Sequence, residues 1–411
     1  MARQKLVIIG AGMASGRVLD HLTDAGASFD ITVFNAEPRG TYNRLMLSPV
    51  LAGEKTFVEI VTHSDDWYAA HGITARFGER VLRIDARARV VVGELGAVPY
   101  DKLIIATGSF PFMIPLPGHD LDGVIAYRDL EDTKRMMNLQ AGTRAVVIGG
   151  GLLGLEAAAG MAARGIDVSV VHIMDHLMER QLDADAAGQL AKSLRDRGIR
   201  ILCGAQSEEI IGAHGHVTGL RLKDGRVLGC DLIVMAVGIR PSVALAQDAG
   251  VAVDRAIVVD DQMRTSVQDI YALGECVEHR GAVFGLVAPL FEQAKVLADT
   301  LMGRPAEFVH KSLATKLKVT GCDLFSAGDF ADADGRENLI YRDDAAGVYK
   351  RLILENNRLL GAVMYGDTGD GAWFFDLIQD GCDVSHLRDV LMFGPNNCET
   401  PERFPRSSVA A

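Results

Sequence analysis

Two segments of this chain repeat one pattern, in which a short apolar run breaks at a glycine-rich turn and continues as a helix. The first is LVIIGAGMASG at residues 6–16, and the second is AVVIGGGLLGLEAA at residues 145–158. This order is typical of the unit that binds the diphosphate of a dinucleotide between a buried strand and a helix N-terminus. One such turn is a weak signal. A repeat is far more specific, so we expect two dinucleotide-binding units in an α/β chain.

The first unit departs from the G-x-G-x-x-G pattern at one position. Gly10 and Gly12 occupy the first two glycine positions, but the third holds Ser15, with Gly16 beside it. A small residue at the third position still permits close packing of the helix on the strand. Apolar spacing then predicts a helix over 17–25.

A candidate ribose ligand follows the first turn. The alternating run at 29–34 predicts a second strand, which leads to Glu37. A carboxylate about 25 residues beyond the glycines is placed to accept hydrogen bonds from an adenosine ribose. The second unit fills all three glycine positions with Gly149, Gly151 and Gly154 and continues through a helix at 155–164 to a strand at 167–172.

Three further strands end at glycines, where a bound nucleotide can approach the backbone closely. They are predicted at 103–109, 232–241 and 270–273, and the last leads to Gly274 and Glu275. An Asp-Gly turn at Gly225 predicts a hairpin before the second of these strands. Pro289 introduces a predicted helix at about 290–302, whose N-terminus offers unpaired N–H groups and a partial positive charge.

From about residue 306 the chain changes character and carries no nucleotide turn. Alternating runs predict an antiparallel sheet with strands at 314–319, 347–354 and 359–364, followed by an amphipathic helix at 373–380. Trp373, Phe374 and Phe375 suit core packing better than an interface, although oligomeric state is not readable from sequence. The tail 395–411 is expected to be irregular.

Composition narrows the classes of function. The net charge is −12, from 42 Lys+Arg against 54 Asp+Glu, without a basic block, so we expect no nucleic-acid partner. The apolar run at 6–10 is too short for a secretory signal, and no stretch approaches the roughly 20 apolar residues of a membrane helix. We therefore expect a cytoplasmic protein without membrane contact.

The cysteines indicate neither a disulfide framework nor a metal site. They lie far apart, without a C-x-x-C pair, and we expect most to be core thiols. They are Cys203, Cys230, Cys276, Cys322, Cys382 and Cys398.

The ordered set of motifs resembles the pyridine-nucleotide:flavin oxidoreductases of the glutathione-reductase fold. Within that family the chain resembles rubredoxin and ferredoxin reductases and the N-terminal flavoprotein part of the large subunit of assimilatory or NADH-dependent nitrite reductase. The stretches that carry the resemblance are GAGMASGR (10–17), FNAEPRGTYNRLMLSP (34–49), ATG (106–108), IGGGLLGLEAA (148–158), LMERQLD (177–183), VGIRP (237–241), IYALGEC (270–276) and GLVAPLFEQAKVLA (285–298).

The resemblance implies two Rossmann-like domains, for FAD and NAD(P), and a C-terminal α+β domain. Their expected bounds are 1–112 with 243–305, 113–242 and 306–411. It assigns Gly10 and Gly12 to the FAD diphosphate, Glu37 to the adenosine ribose, Arg44 to a phosphate or the adenine side, and Val81 to the adenine through its backbone. The other cofactor-binding residues that it implies are Met13, Ala14, Ser15, Ala106, Thr107, Gly108, Arg128, Gly149, Gly151, Leu152, Gly154, His172, Gly238, Arg240, Gly274, Glu275 and Pro289.

The resemblance also implies roles close to the reacting atoms. The helix at Pro289 would direct its positive end at the flavin edge where negative charge develops on reduction. Glu156 is similar to the family's glutamate near nicotinamide and flavin, and is the candidate catalytic residue. The alternative for Glu156 is a first-turn acid that the helix dipole stabilises.

The chain departs from the family pattern at several positions. Glu275 stands where the family usually has Asp, and Pro49 replaces a lysine on the flavin side. His172 stands where an acid would favour NADH by binding the 2′-hydroxyl, and a histidine could tolerate a 2′-phosphate, so the dinucleotide preference stays open. No cysteine precedes Cys203, so the redox disulfide or redox cysteine of related enzymes is missing.

Without a thiol relay, electrons must leave directly from the flavin. We therefore expect an FAD-dependent NAD(P)H reductase that serves a one-electron protein acceptor, either a nitrate or nitrite reductase or a rubredoxin or ferredoxin. Cys276 is the one thiol expected near the flavin, and we expect it to be redox-inactive. The alternatives are a flavin-binding redox sensor or scaffold of the apoptosis-inducing-factor type, and an NAD(P)H oxidase.

Overall fold

The computed structural model of the protein describes residues 3–310, 314–319 and 321–397. These residues form two compact units. The first contains the described residues of Met1–Phe112, Arg128–Arg135 and Gly238–His310, and the second contains those of Met113–Tyr127, Met136–Val237 and Lys311–Ala411. The finer division into three domains, with the bounds given above, stays a prediction.

A five-stranded parallel sheet forms the centre of the first unit. In spatial order its strands are Ile270–Ala272, Lys102–Ile105, Gln4–Ile9, Phe29–Asn35 and Thr74–Phe77. The central strand is an apolar run because both of its faces are covered, and residues 6–8 are at most 1% exposed. The helices Met13–Asp24 and Val287–Leu301 pack side by side and add to the same core.

Smaller elements complete the first unit. Its other strands are Val81–Asp85, Val90–Gly93, Gly96–Pro99, Ser109–Pro111, Ile239–Pro241, Ile257–Val259, Val277–His279 and Ala282–Val283. Its short helices are Arg44–Met46, which is a 3-10 helix, Leu47–Ala52, Phe57–Ile60, Asp65–Ala70 and Ala244–Asp248. The helix Leu130–Met137 extends past Arg135, the last residue of the first unit's middle segment.

A second five-stranded parallel sheet lies in the second unit. In spatial order its strands are Arg200–Leu202, Asp167–Val171, Arg144–Ile148, Leu232–Met235 and Val124–Ala126. Its helices are Leu152–Ala163 and Ala184–Asp196. A three-stranded antiparallel sheet accompanies it, formed by Ser207–Ala213, His216–Leu222 and Val227–Gly229.

The C-terminal part of the second unit is an antiparallel sheet covered by a helix. In spatial order its strands are Thr315–Val319, Cys322–Gly328, Arg358–Tyr365, Val348–Glu355 and Glu337–Asp343. The helix Gly371–Asp380 packs on the sheet, and single 3-10 turns follow at Ser385–Leu387, Leu391–Phe393 and Pro395–Asn397. Phe374 is fully buried in this core, and Trp373 and Phe375 pack against it, so the core-packing interpretation of this aromatic run is confirmed.

The predicted α/β class with its repeated strand, turn and helix units is confirmed. The C-terminal sheet has two strands that were not predicted, Cys322–Gly328 and Glu337–Asp343, and helices start earlier than predicted. The helix predicted from residue 17 begins at Met13, and the helix predicted from about 290 begins at Val287. First turns at glycine-rich or proline-containing segments lack the apolar spacing on which the prediction depends. The Asp-Gly hairpin is confirmed, with Gly225 at φ +86°.

The tail is only partly described. Pro395–Asn397 forms a 3-10 turn where irregular chain was expected, and the rest of the tail, including Cys398, lies outside the described residues. Cys230, Cys276 and Cys322 are buried free thiols, as expected, whereas Cys203 and Cys382 are half-buried. In the described part of the chain, no helix has the length and apolar character that crossing a bilayer requires.

Candidate functional site

The first glycine turn has a backbone that only glycine accommodates. Gly10 follows the central strand with φ +108°, and a Cβ atom there would lie 2.3 Å from the carbonyl oxygen of Ala106. Gly12 begins the helix Met13–Asp24, and a Cβ atom on Gly12 would meet nothing within 4 Å. The first turn of the helix carries no acidic side chain. The turn therefore presents a helix N-terminus and open space to an anionic group.

Ser15 occupies the third glycine position without a clash. The close contact of this helix with its neighbours is made by the next residue, Gly16. Ser15 is buried, and its hydroxyl donates a hydrogen bond to the carbonyl of Gly12 at 3.0 Å. A Cβ atom on Gly16 would lie 2.8 Å from a Thr41 methyl group and 3.2 Å from the His63 ring. The glycine beside Ser15 is thus the one that lets the helix pack against its neighbours.

A cleft of about 280 Å³ opens at this turn and gathers residues from several separate segments of the first unit. Eight of the predicted cofactor-binding residues line it. They are Gly10, Gly12, Glu37, Arg44, Ala106, Thr107, Gly108 and Arg128. The remaining wall is formed by Ala11, Asn35, Ser109, Phe110, Pro111 and Asp129.

Glu37 and Arg44, which both line the cleft, form an ion pair. The hydroxyl of Tyr42 also donates to the Glu37 carboxylate at 2.9 Å. Burial raises the pKa of Tyr42, so this hydroxyl keeps its proton and remains a donor. Arg44 additionally donates to the carbonyl of Arg128 at 3.2 Å. The Glu37 carboxylate is therefore held in a defined orientation by two donors.

Glu275 forms a second charged cluster in the same unit. Its carboxylate pairs with the guanidinium of Arg128 and accepts a hydrogen bond from the Ser109 hydroxyl at 2.7 Å. The preceding Gly274, at φ +96°, donates its N–H to the side-chain oxygen of Gln293 at 2.8 Å. Ser109 and Gln293 lie in stretches that the family resemblance covers or adjoins, but their contacts are not readable from sequence spacing.

The other predicted residues of the first unit lie outside the wall of this cleft. Met13, Ala14 and Ser15 begin the first helix, Val81 begins the strand Val81–Asp85, and Pro289 is the third residue of the helix Val287–Leu301. Gly238 has φ +115°, and the Arg240 guanidinium lies 4.5 Å from the ring centre of Phe112.

Cys276 is held as a buried thiol. It has no solvent exposure, and its sulfur donates to the carbonyl of Leu273 at 3.2 Å. Burial raises the pKa of the Cys276 thiol, which disfavours the reactive thiolate.

The second unit repeats the backbone of the first turn. Gly149 has φ +123°, and a Cβ atom there would lie 2.2 Å from the carbonyl oxygen of Ala236. Gly151 begins the helix Leu152–Ala163 and faces open space. In contrast to Ser15, Gly154 must be glycine, because its Cβ atom would lie 2.2 Å from the carbonyl oxygen of Gly149.

Glu156 does not lie in the first turn of its helix. It is the fifth residue of Leu152–Ala163, and that helix has no acidic residue in its first turn. The alternative of a first-turn acid is therefore wrong, since the effect of the helix dipole falls off within the first turn. The catalytic role of Glu156 stays a prediction.

His172 lies at the end of the second strand of this unit, as predicted, but its ring is buried. Its Nδ1 accepts a hydrogen bond from the N–H of Gly150 at 3.1 Å, and its Nε2 lies 3.0 Å from a carboxylate oxygen of Glu179. Sequence analysis did not single out Glu179. The only signal was its place in LMERQLD, one of the stretches that carry the family resemblance.

The comparison with protein families agrees with this geometry. The model of the pyridine nucleotide-disulphide oxidoreductases matches residues 4–296. The chain belongs to this family. The model of the rubredoxin NAD+ reductase C-terminal domain matches residues 314–382. Membership confirms the family that the sequence motifs indicated and the predicted cofactors, FAD and NAD(P)H.

Individual oxidoreductases of this kind are similar over nearly the whole chain. The NAD(P)H nitrite reductase of Bacillus subtilis is 44% identical over 96% of this chain and 49% of its own length. The assimilatory nitrate reductase electron transfer subunit of Bacillus subtilis is 42% identical over 100% of this chain and 53% of its own length. The chain thus spans about half the length of these curated relatives.

A solved structure of a covalent putidaredoxin reductase–putidaredoxin complex is similar to the whole fold. It matches with a TM-score of 0.83 and 26% identity, over 93% of this chain and 94% of that chain.

Proposed function

We propose that this chain takes electrons from NAD(P)H onto bound FAD and passes them to a redox protein. The observation that carries the proposal is the pair of dinucleotide-type turns at Gly10 and Gly149, one in each unit of a member of this family. When bound, FAD accepts a hydride from NAD(P)H and can release its electrons one at a time. The protein's own residues supply binding, orientation and electrostatics.

The first cleft fits the adenosine diphosphate part of FAD. The open helix N-terminus at Gly12 suits a diphosphate, and Glu37 suits a ribose hydroxyl because its carboxylate is held by Arg44 and Tyr42. Val81 would meet the adenine through its backbone, and Arg44 would lie on the adenine or phosphate side. Residues 106–108, which follow the strand Lys102–Ile105 and line the cleft, would lie beside the bound nucleotide.

The Glu275 cluster suits the ribityl part of the cofactor. Glu275 is one methylene longer than the Asp that the family usually has, and Arg128 and Ser109 hold its carboxylate in place. Gly274 allows the backbone to approach the cofactor. The helix that contains Pro289 would place its positive end at the flavin edge that gains negative charge.

The second unit would bind the pyridine nucleotide. Gly149, Gly151 and Gly154 would form its diphosphate turn with Leu152 at the helix start, and Glu156 would lie near the nicotinamide. His172 would contribute at the adenosine ribose. For Gly238 and Arg240, which belong to the first unit, a cofactor-binding role stays a prediction. Positioning rather than acid–base chemistry would carry the rate, because hydride transfer needs the two rings to stack closely.

The acceptor that we propose is a nitrite or nitrate reductase module, or else a rubredoxin or ferredoxin. The names of the relatives support the first, and the family of the C-terminal residues supports the second. No cysteine occurs in residues 1–202, and Cys276 is fully buried, which supports transfer directly from the flavin without a thiol relay. We propose the cytoplasm as the compartment.

Reoxidation of the flavin tests the proposal against its alternatives. The holoprotein is reduced anaerobically with one equivalent of NADH or NADPH and mixed with an oxidised nitrite or nitrate reductase module, oxidised rubredoxin, oxidised ferredoxin or aerated buffer. We expect one of the proteins to restore the flavin absorbance much faster than oxygen does. Equal or faster reoxidation by oxygen would instead identify an oxidase. A reduced protein that holds its nucleotide and serves no acceptor would identify a redox sensor or scaffold.

A further inference from the structure

The ribose end of the second unit has an acid that does not come from the strand end. The strand Asp167–Val171 leads to His172, where the family pattern places a carboxylate. The carboxylate instead comes from Glu179, seven residues later, with its oxygen 3.0 Å from His172 Nε2. The Glu179 side chain is 27% exposed, whereas that of His172 is 9% exposed. Glu179 is therefore the group of this pair that an incoming ligand can reach.

The hydrogen bonds of His172 determine the charge of the pair. Gly150 donates its backbone N–H to Nδ1, so Nδ1 carries a lone pair and not a proton. The ring proton is then on Nε2, which donates to the Glu179 carboxylate. The imidazole is neutral in this arrangement, and the pair keeps the full negative charge of Glu179.

The segment that carries Glu179 is attached to the glycine turn. Met178 donates its N–H to the carbonyl of Gly150 at 3.0 Å and adopts φ +52°, which is unusual for a residue with a side chain. A Cβ atom on Gly150 would lie 2.7 Å from the His172 ring and 2.8 Å from Leu177. The turn, the strand end and the Glu179 segment are therefore packed into one rigid arrangement.

We infer that Glu179, held by His172, takes the place of the missing strand-end acid and makes the second unit selective for NADH over NADPH. The inference rests on the proposed function, because it assumes that this unit binds the pyridine nucleotide. A carboxylate accepts hydrogen bonds from the ribose hydroxyls and repels a 2′-phosphate. His172 is then a positioning residue that orients the carboxylate.

The neighbouring Arg180 offers the opposite chemistry, since an exposed guanidinium could bind a 2′-phosphate. The structure favours Glu179 because its carboxylate is hydrogen-bonded into the turn, through His172 and Gly150. The two residues therefore make opposite predictions for the same ligands.

Binding of two ligands that cannot reduce the flavin tests the inference. ADP-ribose and its 2′-phosphate are titrated into the FAD-loaded protein by calorimetry. For the unmodified protein we expect ADP-ribose to bind at least tenfold more tightly than its 2′-phosphate. Glu179→Gln is expected to lower this ratio about tenfold, mainly by improving binding of the phosphorylated ligand. Glu208→Gln, at an exposed acid in the same unit, is the matched control and should leave the ratio unchanged.

The outcomes separate this inference from the proposed function. Failure of both ligands to bind, together with failure of NADH and NADPH to reduce the flavin, would contradict the proposed function. Reduction by either nucleotide with a ratio that Glu179→Gln does not change would overturn the inference alone. A preference for the 2′-phosphate that Arg180→Gln abolishes would also overturn it. In His172→Ala the ratio should fall less than in Glu179→Gln, since the carboxylate remains but is less well oriented.

Discussion

The two glycine turns of this protein share a backbone but differ in how their helices are packed. Gly10 and Gly149 both have positive φ angles and both leave no room for a Cβ atom against a neighbouring strand. At the third position, Gly154 lies against its own turn, whereas Ser15 is accommodated and uses its hydroxyl to bind the turn. Both units thus require glycine at the first position of the turn, but only the second unit requires it at the third. The third glycine is needed only where the helix passes close to the turn.

The two carboxylates that we propose as ribose ligands, one in each unit, are also held differently. Glu37 lies soon after its strand and is held by a cation and a phenol, whereas Glu179 comes from a later segment and is held by a neutral imidazole. In our proposal two different local structures therefore orient the carboxylate that binds a ribose. Each of the following substitutions tests one of the two units.

The largest effect is expected from Gly154→Ser, which transfers the serine of the first turn to the second. The added Cβ atom would lie 2.2 Å from the Gly149 carbonyl, and overpacking of this kind costs about 1–3 kcal/mol. We expect reduction of the flavin by NADH to slow by more than about tenfold, while FAD stays bound. Stopped-flow absorbance measures the rate. Gly188→Ala, at a helical glycine with open space around it, is the control, and equal rates in both variants would contradict the packing argument.

Arg128→Met should weaken the binding of FAD that we propose for the first unit. It removes the charged partner of Glu275, and hydrogen bonds to charged groups are worth about 1.5–3 kcal/mol. We expect the dissociation constant for FAD to rise about tenfold or more, as measured by recovery of flavin fluorescence on dilution. Arg135→Met, at an exposed position of the same segment, should leave it unchanged. Tight FAD binding by Arg128→Met would remove Arg128 and Glu275 from the proposed site.

Asp132→Asn should make the first unit more stable at neutral pH. Burial and the nearby Asp129 carboxylate raise the pKa of Asp132 to about 6, from 3.8. The folded state therefore binds this proton more tightly than the unfolded state, and stability falls as pH rises from about 4 to about 6. Since the carboxyl is partly exposed, we expect a gain of about 1 kcal/mol at pH 7 and little change at pH 4. Urea unfolding at both pH values measures the free energy of unfolding. An equal gain at both pH values would contradict the raised pKa of Asp132.

Ser15→Gly should have the smallest effect, although it restores the complete glycine pattern. It removes the hydrogen bond to Gly12 and adds backbone freedom to a helix, at a cost of about 0.5–1 kcal/mol. We expect the FAD content of the purified protein to be unchanged and thermal unfolding to occur slightly earlier. Loss of FAD would show that Ser15 itself contacts the cofactor.

The repeated turns were predictable because their signals are local. An apolar run, a glycine and a helix lie within about fifteen residues of each other, and Glu37 follows at a regular spacing. The partners of Glu275 were not predictable in this way, because Ser109 and Arg128 are separated from it by 166 and 147 residues. Spacing cannot show which distant segments a fold brings together.

Glu179 was missed for a different reason, although it is only seven residues from His172. Met178 there adopts a left-handed backbone conformation. Glycine or asparagine usually occupies such a position, so a methionine gives no signal of it in the sequence. Such reversals depend on packing against the turn and not on local propensity. The pattern at His172 therefore indicated a missing acid, although the folded chain places the Glu179 carboxylate beside His172.

The central claim is that NAD(P)H bound at the second turn reduces FAD bound at the first without a thiol relay. Rapid anaerobic mixing of the holoprotein with NADH and with NADPH, before and after alkylation of its accessible thiols and in Cys276→Ser, tests it directly. We expect loss of the visible flavin absorbance at the same rate in every case, with NADH faster than NADPH. Absorbance that neither nucleotide removes, or a rate that collapses when the thiols are blocked, would contradict it.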